Sequence, residues 1–172
     1  AAMRTGAGLV TVGVPKSLAP ILQKKISPVV MTLSLPETKA QSLSRAACET
    51  VLKLSGKFSA MAVGPGLSQS PSTKQFVRQL VSQANMPLVI DADGLNALVG
   101  YLEVLKQTPA SKILTPHPGE MARLIGFSRD HVESDRRRIA KNFARDHQCV
   151  LLLKGPQTVI SSPDGKVALN DT

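Results

Sequence analysis

The sequence of 172 residues is long enough for one sizeable hydrophobic core, and its 42% of hydrophobic residues is ordinary for a globular protein. Aromatic residues make up only 3%, which disfavours nucleic-acid binding by base stacking even though the formal net charge is +9. No apolar run reaches the roughly 18 residues of a membrane-spanning helix, and residues 1–10 lack the order of a signal peptide, so a cytoplasmic protein without membrane contact is expected.

Strand and helix patterns alternate along the chain. Apolar runs bounded by Gly or Pro predict strands, and apolar residues at i, i+3 and i+4 predict helices. The predicted strands cover residues 8–14, 29–35, 59–63, 87–90, 113–114, 149–153, 158–161 and 166–169. The predicted helices cover residues 16–25, 42–54, 71–84, 95–98 and 128–147, with a further helix carrying Met121, Leu124 and Ile125 on its apolar face.

Short connections between alternating strands and helices predict right-handed βαβ units and a mostly parallel sheet, hence an α/β fold. The turn at residues 162–165, SPDG, predicts an antiparallel hairpin of the last two strands on the sheet edge. No repeat or linker interrupts the pattern, so residues 1–172 are expected to form a single domain. The longest predicted helix covers residues 128–147, and its basic triplet at 136–138 is interpreted as a solvated face because acidic residues stand beside it.

Four predicted strands end in polar or glycine-rich turns, namely GPG at 64–66, DADGLN at 91–96, TPHPGE at 115–120 and KGPQT at 154–158. In a parallel sheet these turns meet at the carboxyl edge, where open α/β sheets bind ligands. Asp91, Asp93 and Glu120 could hold Mg²⁺ through water, and Lys154 is a cation suited to a phosphate. Together the turns predict phosphoryl chemistry on a small molecule.

Each of these residues also has a simpler interpretation. Gly64 and Gly66 could be ordinary turn residues, and Asp91 and Asp93 could cap a helix. His117, between two prolines, could be a structural histidine, and the KGPQT turn lacks the spacing of a Walker A loop. The occurrence of all four turns at successive strand ends favours a ligand site over these alternatives.

The motifs AVGPGL at 62–67, VIDADGLNAL at 89–98, LTPHPGEMARLIG at 114–126 and LLLKGPQTVI at 151–160 together resemble the ADP/ATP-dependent NAD(P)H-hydrate dehydratase family. The segment GAGLVTVGVP at 6–15 fits as well, and order and spacing agree over nearly the whole chain. The resemblance implies a ribokinase-like fold, which is a three-layer αβα sandwich. It also implies a homo-oligomer.

The implied reaction is the repair of hydrated NADH or NADPH. With Mg²⁺, a nucleotide (ADP or ATP) phosphorylates the hydroxyl of the damaged nicotinamide ring, and phosphate then leaves to restore the reduced cofactor. Two alternatives remain. One is a kinase of the same superfamily that acts on a hydroxymethylpyrimidine, a hydroxyethylthiazole or a sugar, and the other is a non-enzymatic nucleotide-binding module.

The resemblance assigns site residues by motif. The implied substrate-binding residues are Gly64, Gly66, Asp91, Asp93, Asn96 and His117. The implied nucleotide-binding residues are Lys154, Gly155, Pro156, Gln157 and Thr158, and Glu120 would hold Mg²⁺ through water. No catalytic residue is assigned, because the family's GxGD turn does not occur in residues 1–172. By the same resemblance, the first strand and the GxGD segment of the family are expected to be lacking.

Overall fold

The predicted alternation of strands and helices holds throughout the computed structural model, which describes residues 2–171. The strands are β1 (Val10–Pro15), β2 (Val30–Leu35), β3 (Met61–Val63), β4 (Leu88–Ile90), β5 (Lys112–Leu114), β6 (Val150–Leu153), β7 (Thr158–Ser161) and β8 (Val167–Asn170). The α-helices are α1 (Ala19–Lys25), α2 (Ala47–Leu54), α3 (Pro71–Gln83), α4 (Asp93–Leu98), α5 (Pro118–Ile125), α6 (Arg129–Ser134) and α7 (Arg136–His147).

The main sheet has six strands in the order β3-β4-β5-β6-β7-β8. The first four strands are parallel, and β7 and β8 add antiparallel pairs at one edge. The β7–β8 turn is closed by hydrogen bonds from Ser162 N to Lys166 O and from Gly165 N to Ser162 O. The predicted mostly parallel sheet with an antiparallel edge hairpin is therefore confirmed.

Strands β1 and β2 form a separate two-stranded parallel sheet, which the sequence patterns did not predict. Its register runs from Val10 opposite Val30 to Pro15 opposite Leu35. Periodicity identified both strands, but it carries no information on which strands pair. The division of the strands into two sheets therefore had to come from the structure.

The core is built from Leu, Val, Ile and Ala, with Phe76 and Phe143 as its buried aromatic rings. Helix α3 shows how the sequence produces this packing. Ser70 Oγ accepts a hydrogen bond from Thr73 N, Pro71 occupies the first helical position, and the apolar face with Phe76, Val77, Leu80 and Val81 is buried. Among residues 2–171, none of the helices combines the length and apolar character needed to cross a membrane.

Two helices differ from their predictions, one in where it starts and the other by a break in its middle. Helix α2 starts at Ala47 with Ala46 at its N-cap position, so the predicted start at residue 42 is wrong, and Ser42 instead shares hydrogen bonds with the Thr38 and Ser70 hydroxyls. The predicted helix at 128–147 is broken at Asp135, whose φ of −151° and ψ of 60° are not helical. Asp135 caps α7 by accepting from Arg138 N, so α3, with 13 residues, is longer than α7, with 12.

A lysine is buried at the start of β5, where the sequence predicted only a flanking residue. Lys112 Nζ donates to Thr108 O at 3.0 Å, to Thr108 Oγ1 at 3.0 Å and to Ala110 O at 2.9 Å. Burial lowers the pKa of Lys112, and these carbonyl and hydroxyl acceptors compensate for lost hydration. The lysine thereby fixes the preceding loop to β5, the strand that leads into residues 115–120.

Candidate functional site

The four polar turns predicted from the sequence do meet at the carboxyl edge of the parallel strands. The register places Val63 opposite Ile90, Ile90 opposite Leu114, and Leu114 opposite Leu151. Hydrogen bonds beyond the strands tie each turn to the next, from Asp91 N to Val63 O, from Thr115 N to Ile90 O and from Lys154 N to Pro116 O, all at 2.9 to 3.1 Å. The turns therefore form one continuous rim along the sheet.

The GPG turn (residues 64–66) packs directly on the DADG turn (residues 91–94). A Cβ atom on Gly64 would lie 1.7 Å from Asp91 O, so only glycine fits there. Opposite it, Ala92 has a φ of 49° and a ψ of −120°, a strained conformation of the kind that concentrates at functional sites. Gly66 differs, because no described heavy atom lies within 4 Å of where its Cβ would stand. Gly64 thus serves packing, and Gly66 borders open space.

Asp93 and Asn96 connect three segments of the rim. Asp93 Oδ2 accepts from Ser68 N at 3.0 Å, which joins the DADG turn to the segment after the GPG turn. Asn96 Nδ2 lies 3.5 Å from Asp93 Oδ1, and Asn96 Oδ1 accepts from Arg123 Nε at 3.0 Å. The N-cap of α4 is Ala92, so the alternative interpretation of the two aspartates as helix caps is not supported.

The HPGE turn (residues 117–120) closes on itself through a capping box at the start of α5. His117 Nδ1 accepts from Gly119 N at 3.0 Å and from Glu120 N at 3.3 Å, while Glu120 Oε2 accepts from His117 N at 2.8 Å. Because Nδ1 is an acceptor, the neutral ring carries its proton on Nε2. His117 is therefore a structural histidine that also presents an N–H on a side chain that is 52% exposed.

Lys154 links the HPGE turn and the DADG turn through its ammonium group. Its Nζ donates to Asp91 Oδ1 at 2.9 Å and lies 3.9 Å from Glu120 Oε2. Burial raises the pKa of Asp91, but hydrogen bonds from Lys154, Ala92 and Thr115 outweigh it, so the pKa lies below its ordinary value. The Lys154 side chain is 42% exposed, so a ligand at this rim can reach it.

The KGPQT turn (residues 154–158) leads from β6 into β7. Gly155, Pro156 and Gln157 are exposed, and Thr158 is the first residue of β7. Gln157 also lines a cavity of about 260 Å³ with residues from the α6–α7 junction, β7 and β8. The structure thus brings the implied nucleotide residues together beside the implied substrate residues.

Arg136 corrects the interpretation of the basic triplet as a solvated face. Its side chain is only 14% exposed, against 64% for Arg138, and its Nη2 donates to Leu153 O at 2.9 Å. Sequence reasoning missed Arg136, and the available signal was Asp135, a residue type that often begins a helix. Arg123 and Lys112 were also missed, and nothing in their local sequence indicates their roles.

The carboxylates at this edge of the sheet suit a metal ion only if a bound phosphate group supplies some of its ligands. Within residues 2–171, no group of three or more His, Cys, Asp or Glu side chains is arranged to hold a metal. Both Glu120 and Asp91 already contact the Lys154 ammonium. Mg²⁺ commonly binds through one or two carboxylates, water and substrate phosphates. The donor set therefore fits an ion shared with a bound phosphate group and does not fit an all-protein cage.

Comparison with known proteins places these features in a family. The family model Carb_kinase, described as NAD(P)H-hydrate dehydratase, matches residues 1–172. The bifunctional NAD(P)H-hydrate repair enzyme Nnr of Moorella thermoacetica is 47% identical over 172 residues, which cover 100% of this chain and 32% of that protein. The chain thus spans about a third of this curated relative.

Solved structures agree with the fold. The ADP/ATP-dependent NAD(P)H-hydrate dehydratase of Bacillus subtilis, co-crystallised with ATP/Mg²⁺ and soaked with CoA, has a TM-score of 0.77 and 31% identity, covering 99% of this chain and 57% of that one. A ribokinase-like superfamily protein of Enterococcus faecalis, at 19% identity, has a TM-score of 0.69 over 98% of this chain and 54% of its own, and supports the fold alone. With its four turns on one sheet edge, the chain has a ribokinase-like α/β fold and belongs to the NAD(P)H-hydrate dehydratase family.

Proposed function

We propose that this chain binds the substrate and the nucleotide in an ADP/ATP-dependent dehydratase that converts hydrated NADH or NADPH back to NADH or NADPH. One observation carries the proposal. The Lys154 ammonium lies between Asp91, at 2.9 Å, and Glu120, at 3.9 Å, so the HPGE and KGPQT turns face a common point. A hydroxyl on one side of that point and a phosphate on the other would be within transfer distance.

The substrate would lie on the side of the GPG, DADG and HPGE turns. Gly66 borders open space, so the backbone there can approach a ligand closely. His117 is held by its capping box and offers its Nε2 proton to the hydrated ring or to the phosphates of the dinucleotide. Because the imidazole is already fixed, binding would cost little further entropy. Asp93 and Asn96 shape the wall beside it through their contacts with Ser68 and Arg123.

The nucleotide would lie on the KGPQT side. Gly155 and Gln157 are exposed, so phosphate oxygens can reach this turn, and Lys154 supplies a cation on a flexible stem. A phosphate entering this site would compete with Asp91 for the ammonium, which is the expected behaviour of a lysine that positions a transferable group. Thr158 Oγ1, 3.5 Å from Gly155 O, is the hydroxyl at the end of the turn.

Glu120, with Asp91 near it, would hold Mg²⁺ through water together with the nucleotide phosphates. When bound, the ion supplies charge neutralisation on the phosphate oxygens. The capping box keeps the Glu120 carboxylate in place, since Oε2 accepts from His117 N at 2.8 Å and Oε1 lies 3.5 Å from His117 Nε2. Glu120 is buried, so its orientation is set by these contacts and not by solvent.

The proposed reaction balances in two steps. The ring hydroxyl oxygen forms a bond to the terminal phosphorus of the nucleotide and loses its proton, while the bond from that phosphorus to the nucleotide's bridging oxygen breaks. The carbon–oxygen bond of the ring then breaks, inorganic phosphate leaves with the electron pair, and the ring releases a proton to restore the double bond. In both steps the residues of this chain bind and orient the reactants.

The proposal includes further expectations that the motifs imply. The chain would form a single domain in a cytoplasmic homo-oligomer that has no nucleic-acid partner. The aromatic content of 3% supports the last point, because base stacking needs rings that this sequence lacks. Light scattering coupled to size-exclusion chromatography would give the oligomeric state, and a mass equal to one chain would contradict the expected homo-oligomer.

The proposed activity is tested by giving the full-length protein hydrated NADH with Mg²⁺ and either ADP or ATP. The expected result is nucleotide-dependent recovery of the reduced-nicotinamide absorbance, with release of inorganic phosphate. Stable phosphorylation of a pyrimidine, thiazole or sugar alcohol without this recovery would favour a kinase. Nucleotide binding in calorimetry without any turnover would favour a binding module.

A further inference from the structure

Arg136 is the half-buried cation of the basic triplet, and it lies behind the KGPQT turn. The break at Asp135 makes Arg136 the first residue of α7, which packs on β6 and β7. Its Nη2 donates to the carbonyl oxygen of Leu153, the residue directly before Lys154, at 2.9 Å. The guanidinium thus holds the end of β6 at the point where the turn begins.

The guanidinium group also lies directly against Gly155. A Cβ atom added to Gly155 would stand 2.4 Å from Arg136 Nη2 and 2.6 Å from both Cζ and Nη1. Because three atoms of the planar group approach the same point, the contact is made by the face of the group and not by one tip. Gly155 therefore leaves the space that Arg136 fills, and Arg136 supports the backbone of the turn from behind.

The hydrogen-bonding capacity of the Arg136 guanidinium is only partly used. Its Nε is buried and has no hydrogen-bond partner within residues 2–171, although it forms a long ion pair with the carboxylate of Glu133, at 3.9 Å. A buried, partly unsatisfied guanidinium is costly, since arginine remains charged inside proteins. Its placement behind an exposed turn therefore indicates that the turn benefits from a fixed positive charge and a rigid support.

We propose that Arg136 is a positioning residue for the nucleotide. It holds the backbone of Leu153 and Gly155 so that the KGPQT turn presents its amides and Lys154 to the phosphates. It acts through the turn and does not itself contact the phosphates. The inference rests on the nucleotide role proposed above for the KGPQT turn.

The first experiment compares Arg136→Ala, Arg136→Lys and the exposed control Arg137→Ala in the full-length protein. We expect Arg136→Ala to raise the KM for ADP and ATP on the order of tenfold, because small displacements of a binding turn are costly. The kcat at saturating nucleotide and the KM for hydrated NADH should stay unchanged. Arg136→Lys should restore little, since lysine lacks the planar group, and Arg137→Ala should behave like the wild type.

A second variant changes the other partner of the contact between Arg136 and Gly155. Gly155→Ala keeps the arginine but places a methyl group where its guanidinium lies, so the KM for nucleotide should again rise. Because Gly155 has a φ of +158°, Gly155→Ala also strains the backbone, so the test is the coupling of the two changes. The double variant, Arg136→Ala with Gly155→Ala, should raise the KM by less than the product of the two single effects, because the two changes share one contact. Gly155→Ala alone remains informative if Arg136→Ala folds poorly, because it keeps the arginine.

The outcomes separate this inference from the proposed function. If Lys154→Ala leaves nucleotide affinity unchanged, the KGPQT turn is not the nucleotide site and both ideas fail. If Lys154→Ala weakens nucleotide binding but Arg136→Ala lowers only the melting temperature, Arg136 is purely structural and this inference alone is overturned. Full recovery of nucleotide KM in Arg136→Lys, or additive effects in the double variant, would also overturn it.

Discussion

The HPGE and KGPQT turns reach the same sheet edge by different means. The HPGE turn closes on itself, with hydrogen bonds from Gly119 N and Glu120 N to His117 Nδ1 and from His117 N to Glu120 Oε2. Within the KGPQT turn, the hydrogen bond from Thr158 Oγ1 to Gly155 O is long, at 3.5 Å. That turn is held from outside, by the carbonyl of Pro116 and the guanidinium of Arg136.

This difference separates two ways of preparing a binding site. A turn that satisfies its own polar groups is preorganised, so the imidazole of His117 is in place before any ligand arrives. A turn supported by distant side chains keeps its outward backbone free and can adjust to a phosphate chain. Substitutions in and around each turn can test whether the two turns differ in this way.

The largest effect should come from Gly64→Ala, at the packed contact between the GPG and DADG turns. Its Cβ would lie 1.7 Å from Asp91 O, a backbone atom that cannot rotate away. We expect a loss of about 3 kcal/mol or more in the free energy of unfolding, measured by urea titration.

Gly66→Ala is the matched control for this variant. Gly66 has a φ of +72°, but an added methyl group would meet open space, so only backbone strain of about 1–2 kcal/mol is expected. Gly66→Ala should nevertheless weaken binding of the hydrate, which Gly66 is proposed to border. Equal destabilisation by the two variants would contradict the packing role assigned to Gly64.

His117 tests whether the self-closed turn serves structure, substrate or both. Asparagine is a good N-cap and alanine is not, so His117→Ala should lower stability by about 1 kcal/mol, whereas His117→Asn should not. Both variants lose the Nε2 donor, and both should reduce dehydration of hydrated NADH on the order of a hundredfold if that donor positions the substrate. Steady-state turnover and thermal unfolding of the same samples provide the two readouts.

If His117→Asn retained wild-type turnover, the imidazole would be a helix cap and nothing more. The substrate side of the site would then have to depend on Gly66, Asp93 and Asn96. The HPGE and KGPQT turns would still differ in how they are held, but that difference would have no effect on substrate binding.

Lys154→Ala addresses the externally supported turn. Removing this charge-assisted contact should weaken nucleotide binding by roughly 1.5–3 kcal/mol, as measured by calorimetric titration of ADP and ATP. Lys166→Ala is a suitable control, because Lys166 is exposed and pairs only locally with Asp164 in the β7–β8 turn. An unchanged nucleotide affinity in Lys154→Ala would remove the KGPQT turn from the proposed site.

The same contrast explains what could be predicted from the sequence. The HPGE turn was predicted because its determinants lie within six residues, with two prolines around His117 and a glutamate three positions later. The support of the KGPQT turn depends on Arg136, which is 17 residues from Leu153, and on Asp91, which is 63 residues from Lys154. Periodicity does not encode such distant contacts.

Two errors in the predicted fold have the same origin. The helix predicted over 128–147 satisfied the helical pattern, but the backbone at Asp135 leaves the helix so that α6 and α7 can pack separately. Strands β1 and β2 were identified correctly, yet their separation into a second sheet depends on strand pairing. Local patterns located the elements and the four turns, and long-range packing decided how they are held.

Glu120→Gln should have a moderate effect that is confined to the Mg²⁺ dependence of turnover. Glutamine can replace glutamate in a capping box, so the HPGE turn and the stability of the fold should be preserved. Loss of the carboxylate charge should raise the Mg²⁺ concentration needed for half-maximal turnover on the order of tenfold. Unchanged Mg²⁺ dependence would leave Glu120 with its capping role alone.

The smallest effect concerns the Asp91–Lys154 pair, where the DADG and KGPQT turns meet. The pKa of Asp91 is lowered in the folded state, so ionised Asp91 favours folding. This stabilisation is present above the unfolded pKa, which is about 4 for an aspartate, and is lost as pH falls through the lower folded value. Asp91 is 33% and Lys154 42% exposed, so solvent screening limits the contribution to about 0.5 kcal/mol.

Lys154→Met, which keeps the aliphatic stem without the charge, isolates this contribution. Urea unfolding at pH 7 should show the variant to be less stable than the wild type by about that amount. As the pH falls below about 4 the gap should shrink, and it should close once Asp91 is protonated in the folded wild type as well, because the variant has no pair to lose. A gap that stays constant between the two pH values would show that Lys154 does not set the ionisation of Asp91. The Lys154 ammonium would then contribute to the KGPQT turn alone, and the DADG and KGPQT turns would be energetically independent.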